Sequence, residues 1–327
     1  MSAPAKAPVA FFAFKRPAHT ARTLEALAAN LSAPATPLIV FCDGPRGPVD
    51  EAAVLAVRQL VREPRWAERF ADLTIIESTT NAGLAAAVIG GVSRVINAHG
   101  RAIVLEDDLV SAPDFLCFMN ACLDYYEPDR TIASIAGYSP LAILPRGVRG
   151  DVYALPRNGS HGWATWQDRW SAVDWQASAY DAFRTDRTAR RRFNRAGADR
   201  GRRLDREVAG SGAGSWSVRF GFSQFLAGTL TVYPRDNRIL NIGGDGTGEH
   251  GARGFRFNTT LCNRPQPFNL GPVKEDGRVV AAVAGLHNGG MARRLFHRLA
   301  ALRPVGAPAR ARCQNHPADA RILPDKM

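Results

Sequence analysis

The alternation of short apolar runs with helical stretches is the feature that most constrains the fold of this chain. Four apolar runs are predicted strands, at 9–14, 37–42, 73–77 and 101–105. Apolar residues at helical spacing predict intervening helices over 20–31, 50–62 and 84–98. Because the strands are apolar throughout instead of alternating with polar residues, we expect a mostly parallel sheet covered by helices on both faces.

The remainder of the chain is less regular. A helix over 115–126 and a strand over 131–138 are predicted, and the following residues are richer in Gly, Trp and Arg with weaker periodicity. We therefore predict one α/β domain in two halves, 1–137 and 138–260, followed by a basic C-terminal extension over 261–327.

Length and composition fit a globular protein. The chain has 327 residues, 46% of them hydrophobic, which suffices for one large core. Its five cysteines include no CxxC pair, so neither a zinc site nor a disulfide scaffold is predicted, and a reducing compartment fits best. No uncharged stretch approaches the roughly 20 residues that span a bilayer, so we expect a cytoplasmic protein that is not integrally membrane-bound.

The net charge of +12 is concentrated in two regions. Residues 184–206 contain ten Arg against three Asp, and the chain after 285 is also basic. Such regions either attract phosphate groups or form solvated surface, and the sequence leaves both interpretations open. Aromatic residues do not interleave with the basic ones and no DNA-binding spacing occurs, so nucleic acid is not an expected partner.

Polar or turn-forming residues follow three of the predicted strands. They are Lys15-Arg16, Asp43-Gly44 and the triplet Glu106-Asp107-Asp108. Ligands of parallel sheets bind at the carboxyl ends of the strands, so these residues are the predicted site. The sequence has no GxGxxG after the first strand and no GxxxxGK[ST], so any phosphate must be held in another way.

The acidic triplet is the candidate metal site. Adjacent carboxylates repel one another, and a divalent cation relieves that repulsion. Their oxygens suit Mg²⁺ or Mn²⁺, which proteins commonly bind through one or two carboxylates and substrate phosphates. A helix cap, with Asp108 starting a helix at Leu109 or Asp114 capping the next one, would explain the charges without a metal. The apolar run before the triplet favours the metal, because it places the charges at a buried sheet edge.

These motifs, in this order, resemble a known family. The segment VLEDDLVSAPDFL, residues 104–116, is similar to the DxD-type motif of GT-A-fold glycosyltransferases, in particular the N-acetylglucosaminyltransferase I group and related bacterial sugar transferases. Further segments resemble nucleotide-, sugar- and metal-contacting parts of that family, at 14–17, 42–44, 81–84, 162–166, 241–243 and 248–250. The resemblance covers about 9–251 and does not extend to the last 70 or so residues.

The resemblance implies a GT-A fold and a metal-dependent glycosyltransferase. The expected donor is a nucleoside diphosphate sugar, UDP-linked, bound by 1–137. The expected acceptor is a hydroxyl of a glycan or lipid-linked saccharide, bound by 138–260, in bacterial surface polysaccharide synthesis. The metal, Mn²⁺ or Mg²⁺, would stabilise the diphosphate leaving group.

The resemblance also implies roles for individual residues. Asp108 is the expected metal ligand, with His250 as a candidate second ligand. The residues expected to contact the donor are Arg16 near the base or phosphates, Asp43 on the nucleobase, Asn81 in the loop before the third helix, Glu106 and Asp107 on the ribose or metal-bound water, and Trp163 on the sugar.

The general base has no secure candidate in the sequence. Related eukaryotic enzymes place a carboxylate just before a Trp, which corresponds here to Trp216, but Gly214 and Ser215 precede it. Asp168 and Asp245 are therefore the candidate catalytic residues, with Asp174 as a further possibility. Asp168 could equally form a surface ion pair with Arg169.

Two further features have a functional and a structural interpretation. Trp163, Trp166 and Trp170 follow helical spacing, so Trp166 and Trp170 are expected in the core, whereas Trp163 is the candidate for stacking on a sugar. Residues 291–302 predict a basic amphipathic helix that could contact an anionic membrane or pack on the domain.

Two other functions remain open on the sequence. A sugar nucleotidyltransferase would also use carboxylates at a strand end, but normally has a Gly-rich phosphate loop near its N-terminus, which this chain lacks. A non-catalytic nucleotide- or carbohydrate-binding protein of the same fold would explain the missing carboxylate before Trp216.

Overall fold

The computed structural model of the protein describes residues 6–212, 214–246, 260–262 and 268–288. The strands are β1 (Val9–Ala13), β2 (Pro37–Cys42), β3 (Asp72–Glu77), β4 (Arg101–Glu106), β5 (Leu109–Ser111), β6 (Ile132–Ala136), β7 (Val152–Leu155), β8 (Trp163–Trp166), β9 (Leu230–Pro234) and β10 (Ile239–Asn241). The α-helices are α1 (Pro17–Ala28), α2 (Pro48–Val61), α3 (Pro64–Ala67), α4 (Leu84–His99), α5 (Phe115–Tyr126), α6 (Gln167–Ser171), α7 (Tyr180–Thr185), α8 (Arg187–Phe193), α9 (Asp199–Val208), α10 (Trp216–Leu226) and α11 (Gly277–Asn288).

Eight of these strands form one sheet in the order β3-β2-β1-β4-β8-β6-β9-β7. The neighbours among β3, β2, β1 and β4 are parallel, as are β6 and β9, whereas β8 and β7 run antiparallel to their neighbours. The predicted α/β class, with a large, mostly parallel sheet flanked by helices, is confirmed. Strands from both predicted halves share this sheet.

The first strand shows why its sequence lacks polar alternation. All five residues of β1 are buried. Phe11 packs in one core cluster with Leu24 of α1, and Phe12 packs in another with Val88 of α4. Since successive side chains of a strand point to opposite faces, an apolar strand with helices on both sides is buried on both.

The predicted elements of the first half are all present. The bounds of β2 and α5 agree with the prediction, and the others differ by at most about three residues, as is usual for element ends. The largest difference is at α1, which begins at Pro17 and not at residue 20. Proline is favoured in the first turn of a helix, so Lys15-Arg16-Pro17 starts the helix as well as ending the strand.

The second half departs from the expected parallel pattern. β8 lies between β4 and β6 and is antiparallel to both, so the predicted strand at 131–138 does not neighbour β4. β7 runs in the same direction as β8, and residues 156–162 therefore return across the sheet to connect them. The weaker periodicity of this region did not reveal that crossing.

The residues after the acidic triplet form a strand and not a helix. β5 pairs antiparallel with β10 in a two-stranded sheet. The proposed helix cap at Asp108 therefore does not occur. Asp114 precedes α5 but makes no side-chain cap hydrogen bond, and its Oδ2 instead lies 3.3 Å from Nε of Arg238, with both side chains buried.

Within the described residues, no helix is both long and apolar enough to cross a bilayer. The predicted basic helix at 291–302 and the candidate ligand His250 lie outside the described residues.

Candidate functional site

Three parallel strands bring the predicted site residues to one sheet edge. β1 is paired with β2 and with β4, so that Ala13 lies opposite Cys42 and Phe12 opposite Glu106. The residues that follow these strands, Arg16, Asp43 and the acidic triplet, consequently leave the sheet side by side. Sequence analysis predicted this arrangement from the strand ends alone.

Arg16 joins the first strand end to the triplet. Its Nη2 donates to Oδ1 of Asp107 and lies 3.0 Å from Oδ2 of Asp108. The backbone of the triplet is also fixed, because Thr23 of α1 donates to the Asp107 carbonyl at 2.8 Å. Burial favours the neutral guanidinium, but the charges of Asp107 and Asp108 outweigh it and raise the pKa of Arg16 above its ordinary value.

One arginine does not neutralise three carboxyl groups. Burial, followed by repulsion from Asp108 and Asp107, raises the pKa of Glu106 to about 8. Burial also raises the pKa of Asp107 to about 6, against the opposing effect of Arg16. Within the described part of the chain, the Glu106 carboxyl has no hydrogen bond or ion pair. This edge therefore holds uncompensated acidic groups.

The loop after β10 closes directly over Asp108. The backbone N–H of Ile242 donates to the Asp108 carbonyl at 2.9 Å. A Cβ at Gly243 would lie 3.0 Å from Cγ of Asp108 and 3.2 Å from Nη1 of Arg16, closer still to the Asp108 carboxylate oxygen. Only glycine fits this close approach of the backbone to the Asp108 carboxylate.

Asp43 organises a loop in this structure. Its carboxylate accepts from Asn81 Nδ2 at 3.0 Å and from the backbone N–H groups of Gly44, Ala82 and Gly83 at 2.9, 2.9 and 3.2 Å. Each oxygen thus has two donors. Asp43 and Asn81, each predicted to contact the donor, bond to one another, and the Asp43 carboxylate holds the 81–83 loop before α4. The predicted bond to a nucleobase N–H would have to share an oxygen that already has two donors.

A cavity of about 390 Å³ lies beside the triplet. Glu106 and Asp108 line it, together with residues from the 157–161 segment, from α9, α10 and α11, and from β9. His161 lines it too, and the charges of Asp108 and Arg203 both act on its imidazole, whose pKa is lowered chiefly by burial. His161 therefore lies between an acidic and a basic side of the cavity.

Trp163 does not occupy the position predicted for it. It is a residue of β8, only 1% exposed, and stacks on Trp216 with ring centroids 4.6 Å apart. It is thus a core residue that supports the cavity wall from behind, and direct stacking on a sugar is not compatible with its burial. Trp166 and Trp170 are buried as expected, although Trp163 and Trp166 share a strand and not a helix.

Asp168 also lies away from the triplet. β8 is antiparallel to β4, with Trp166 opposite Arg101 at the far end from Glu106, so Asp168 follows at the other edge of the sheet. Its carboxylate pairs with Arg169 at 2.8 Å and with Arg130. The ion-pair alternative describes its environment, and we do not propose it as a base.

Asp245 lies nearer to the site. Its Oδ2 is 3.1 Å from Nε2 of His19, on the first turn of the helix that follows Arg16. Asp174 accepts from the backbone N–H groups of Gln176 and Ser178 and so stabilises its own turn.

Sequence analysis missed His161 and the arginines of the cavity as site residues. In a parallel sheet, only the residues after each strand lie at the ligand-binding edge. Residues before an antiparallel strand reach the same edge, which is how His161, preceding β8, comes to line the cavity with Asp108. Predicting the antiparallel orientation of β8 would have identified His161 as a site residue.

The acidic edge fits a divalent cation shared with a phosphate ligand. The described residues contain no cluster of three or more His, Cys, Asp or Glu side chains arranged as a complete metal site. Mg²⁺ and Mn²⁺ are typically held by one or two carboxylates with the remaining positions filled by water and phosphate oxygens. Glu106 without a partner and Asp108 beneath Gly243 supply that donor set.

No protein-family model matches the chain, and no curated protein matches it significantly.

Proposed function

We propose that this protein is a metal-dependent glycosyltransferase that uses a nucleoside diphosphate sugar, UDP-linked, as its donor. The observation that carries the proposal is the convergence of Arg16, Asp107 and Asp108 at the carboxyl ends of β1 and β4, beside a cavity large enough for sugar rings. The GT-A-like order of the motifs is consistent with the mostly parallel sheet.

The acidic edge would bind the donor through its diphosphate. A divalent cation held by Asp108, with Glu106 beside it, would stabilise the negative charge that develops on the leaving diphosphate. Arg16 keeps Asp107 and Asp108 in place through its two hydrogen bonds. Asp43 fixes the 81–83 loop at the same edge, so that the nucleotide meets a preformed surface.

In an inverting reaction, the acceptor hydroxyl needs a proton acceptor on the side of the sugar opposite the leaving diphosphate. Among the described residues that line the cavity, the carboxylates are Glu106 and Asp108, which the metal would occupy. His161 lines the same cavity, and burial lowers the pKa of its imidazole, which favours the neutral form that can accept a proton. We assign the base role to His161, with Asp245 as the alternative.

Metal-enhanced nucleotide binding tests the donor site. UDP with Mn²⁺ should raise the melting temperature more than UDP alone, and the increase should grow with ligand concentration. Asp108→Ala should abolish the Mn²⁺-dependent part, whereas Asp181→Asn, an exposed control on α7, should keep it. Absence of a metal-enhanced shift with any nucleoside diphosphate would refute the donor site.

Hydrolysis or transfer from a panel of nucleotide sugars then tests catalysis. His161→Gln should retain metal-dependent UDP binding and lose about 10²–10⁴-fold in turnover, the usual contribution of a general base. Nucleotide binding without any turnover would instead support a non-catalytic binding protein. Formation of a nucleotide sugar from nucleoside triphosphate and sugar phosphate would support a nucleotidyltransferase.

A further inference from the structure

Three arginines line the cavity together with Glu106 and Asp108 and form its basic side: Arg157, Arg200 and Arg203. Arg157 belongs to the segment that returns across the sheet, and the other two belong to α9. Arg200 is only 6% exposed, and its guanidinium stacks on Phe193 at 4.0 Å and donates to two backbone carbonyls, those of Phe193 and Gly221, at 2.8 and 3.2 Å. A buried cation therefore faces the cavity with neutral partners.

Acidic groups of the described residues balance one of these arginines, Arg157, but form no ion pair with the other two. Asp199 accepts two hydrogen bonds from Arg157, at 2.9 and 2.8 Å. Glu207, one turn after Arg203 on α9, accepts from the Ser215 N–H at 2.9 Å. Neither Arg200 nor Arg203 forms an ion pair with any residue that the structure describes.

His287, a further titratable group beside these arginines, adds no negative charge. His287 of α11 lies 3.7 Å from Asp199, and burial together with Arg157 lowers its pKa to about 4, so it is neutral at pH 7. Burial, followed by the charge of Arg157, also lowers the pKa of Arg200 below its ordinary value. An anion in the cavity would relieve this crowding of positive charge.

The chemistry of guanidinium groups indicates the class of ligand. Arginine binds phosphate oxygens through two parallel N–H donors, and several arginines together match the multiple charges of a phosphate or diphosphate. A single carboxylate would balance only one of the uncompensated cations.

We propose that Arg157, Arg200 and Arg203 bind a phosphate group carried by the acceptor. This proposal rests on the proposed function, in which the donor diphosphate lies at Asp108 on the other side of the cavity. The acceptor would then be anchored by its phosphate, with its sugar in the space of about 390 Å³ between the two sites. The phosphate belongs either to a lipid-linked diphosphate or to a phosphorylated saccharide.

Titration calorimetry of the full chain with inorganic pyrophosphate, without metal and at fixed ionic strength, tests the anion site. Arg203→Gln should weaken binding roughly tenfold, the effect of losing one charged hydrogen-bonding group. Arg202→Gln removes the same charge from the neighbouring exposed position of α9, which does not line the cavity, and should change binding less than about twofold. Equal weakening by the two substitutions would overturn the proposal, since it would indicate surface attraction alone.

A second titration separates this site from the donor site. With UDP and Mn²⁺ saturating, pyrophosphate should still bind, and Asp108→Ala should abolish Mn²⁺-dependent UDP binding while leaving pyrophosphate affinity unchanged. Displacement of pyrophosphate by UDP would overturn the proposal, because the arginines would then hold the nucleotide. If no nucleotide binds at all, the proposed function fails, while Arg203-dependent pyrophosphate binding still identifies the anion site.

Two phosphate-bearing probes distinguish the sources of the group. Arg203-dependent binding of farnesyl diphosphate in detergent would indicate a lipid-linked acceptor, and that of glucose 1-phosphate a phosphorylated saccharide. Binding of neither compound would overturn the assignment of this site to the acceptor.

Discussion

Replacement of Glu106 by glutamine should stabilise the metal-free protein in a pH-dependent way. Burial and the neighbouring aspartates raise the pKa of Glu106 from an ordinary value of 4.5 to about 8. The folded chain therefore retains a proton that the unfolded chain releases between these pH values. Below about pH 4.5 the proton is bound in both states, and Glu106 does not destabilise the folded state. The free energy of unfolding then falls as the pH rises from about 4.5 to about 8.

The size of the effect follows from the shift. Each pKa unit corresponds to about 1.4 kcal/mol, so the loss of stability at pH 8 and above approaches an upper limit of roughly 4 to 5 kcal/mol. Glu106→Gln keeps the shape and removes the titration. Urea denaturation should show the variant more stable than the parent by about 2 kcal/mol or more at pH 8, and nearly equal to it at pH 4.5.

A matched control and the metal complete the experiment. Glu68→Gln, at an exposed position after α3, should give the same small difference at both pH values. Mn²⁺ at pH 8 should stabilise the parent more than Glu106→Gln, because the charged carboxylate can then bind a cation. A stability difference that does not change with pH would refute the burial of Glu106 as an uncompensated acid.

Two further predictions concern a pair of adjacent glycines on α4 and the carboxylate of Asp43. No atom lies near a Cβ at Gly90 of α4, so Gly90→Ala should stabilise the protein by about 0.5 to 1 kcal/mol. A Cβ at the adjacent Gly91 would lie 2.6 Å from the Phe12 ring, so Gly91→Ala should destabilise the protein by about 1 to 3 kcal/mol. Thermal denaturation of the two variants checks both values. Asp43→Ala should lower the free energy of unfolding by about 1 to 3 kcal/mol and speed amide hydrogen exchange at Ala82, because four donors lose their acceptor. Unchanged exchange at Ala82 would contradict the role of Asp43 in ordering the loop.

The acidic edge was predictable because the sequence signals for it are local. Each strand of the first half is an uninterrupted apolar run, and parallel pairing places the residues after every such run together. Arg16, Asp43 and the triplet could therefore be placed without knowledge of side-chain contacts. Which of Glu106, Asp107 and Asp108 would contact Arg16 depended on rotamers, which no periodicity specifies.

The basic side of the cavity, formed by Arg157, Arg200 and Arg203, was not predictable in the same way. The reversal of β8, the return of residues 156–162 and the packing of α9 all depend on contacts between distant parts of the chain. Trp163 illustrates the error that results. It follows His161 and Gly162, which are typical of a loop, yet pairing with Val104 makes it a central strand residue.

The pairing of β5 with β10 has a consequence for folding kinetics. It brings Gly243 over Asp108, and the adjacent pair of Arg238 with Asp114 joins residues 124 positions apart in sequence. Contacts between distant residues form late, because the intervening chain must first lose its freedom, whereas the β-α-β units of the first half close over short distances. We expect the acidic edge to assemble early and to remain uncovered until β10 docks. A ligand of the proposed donor site would therefore change the rate of the last step of folding and not of the first.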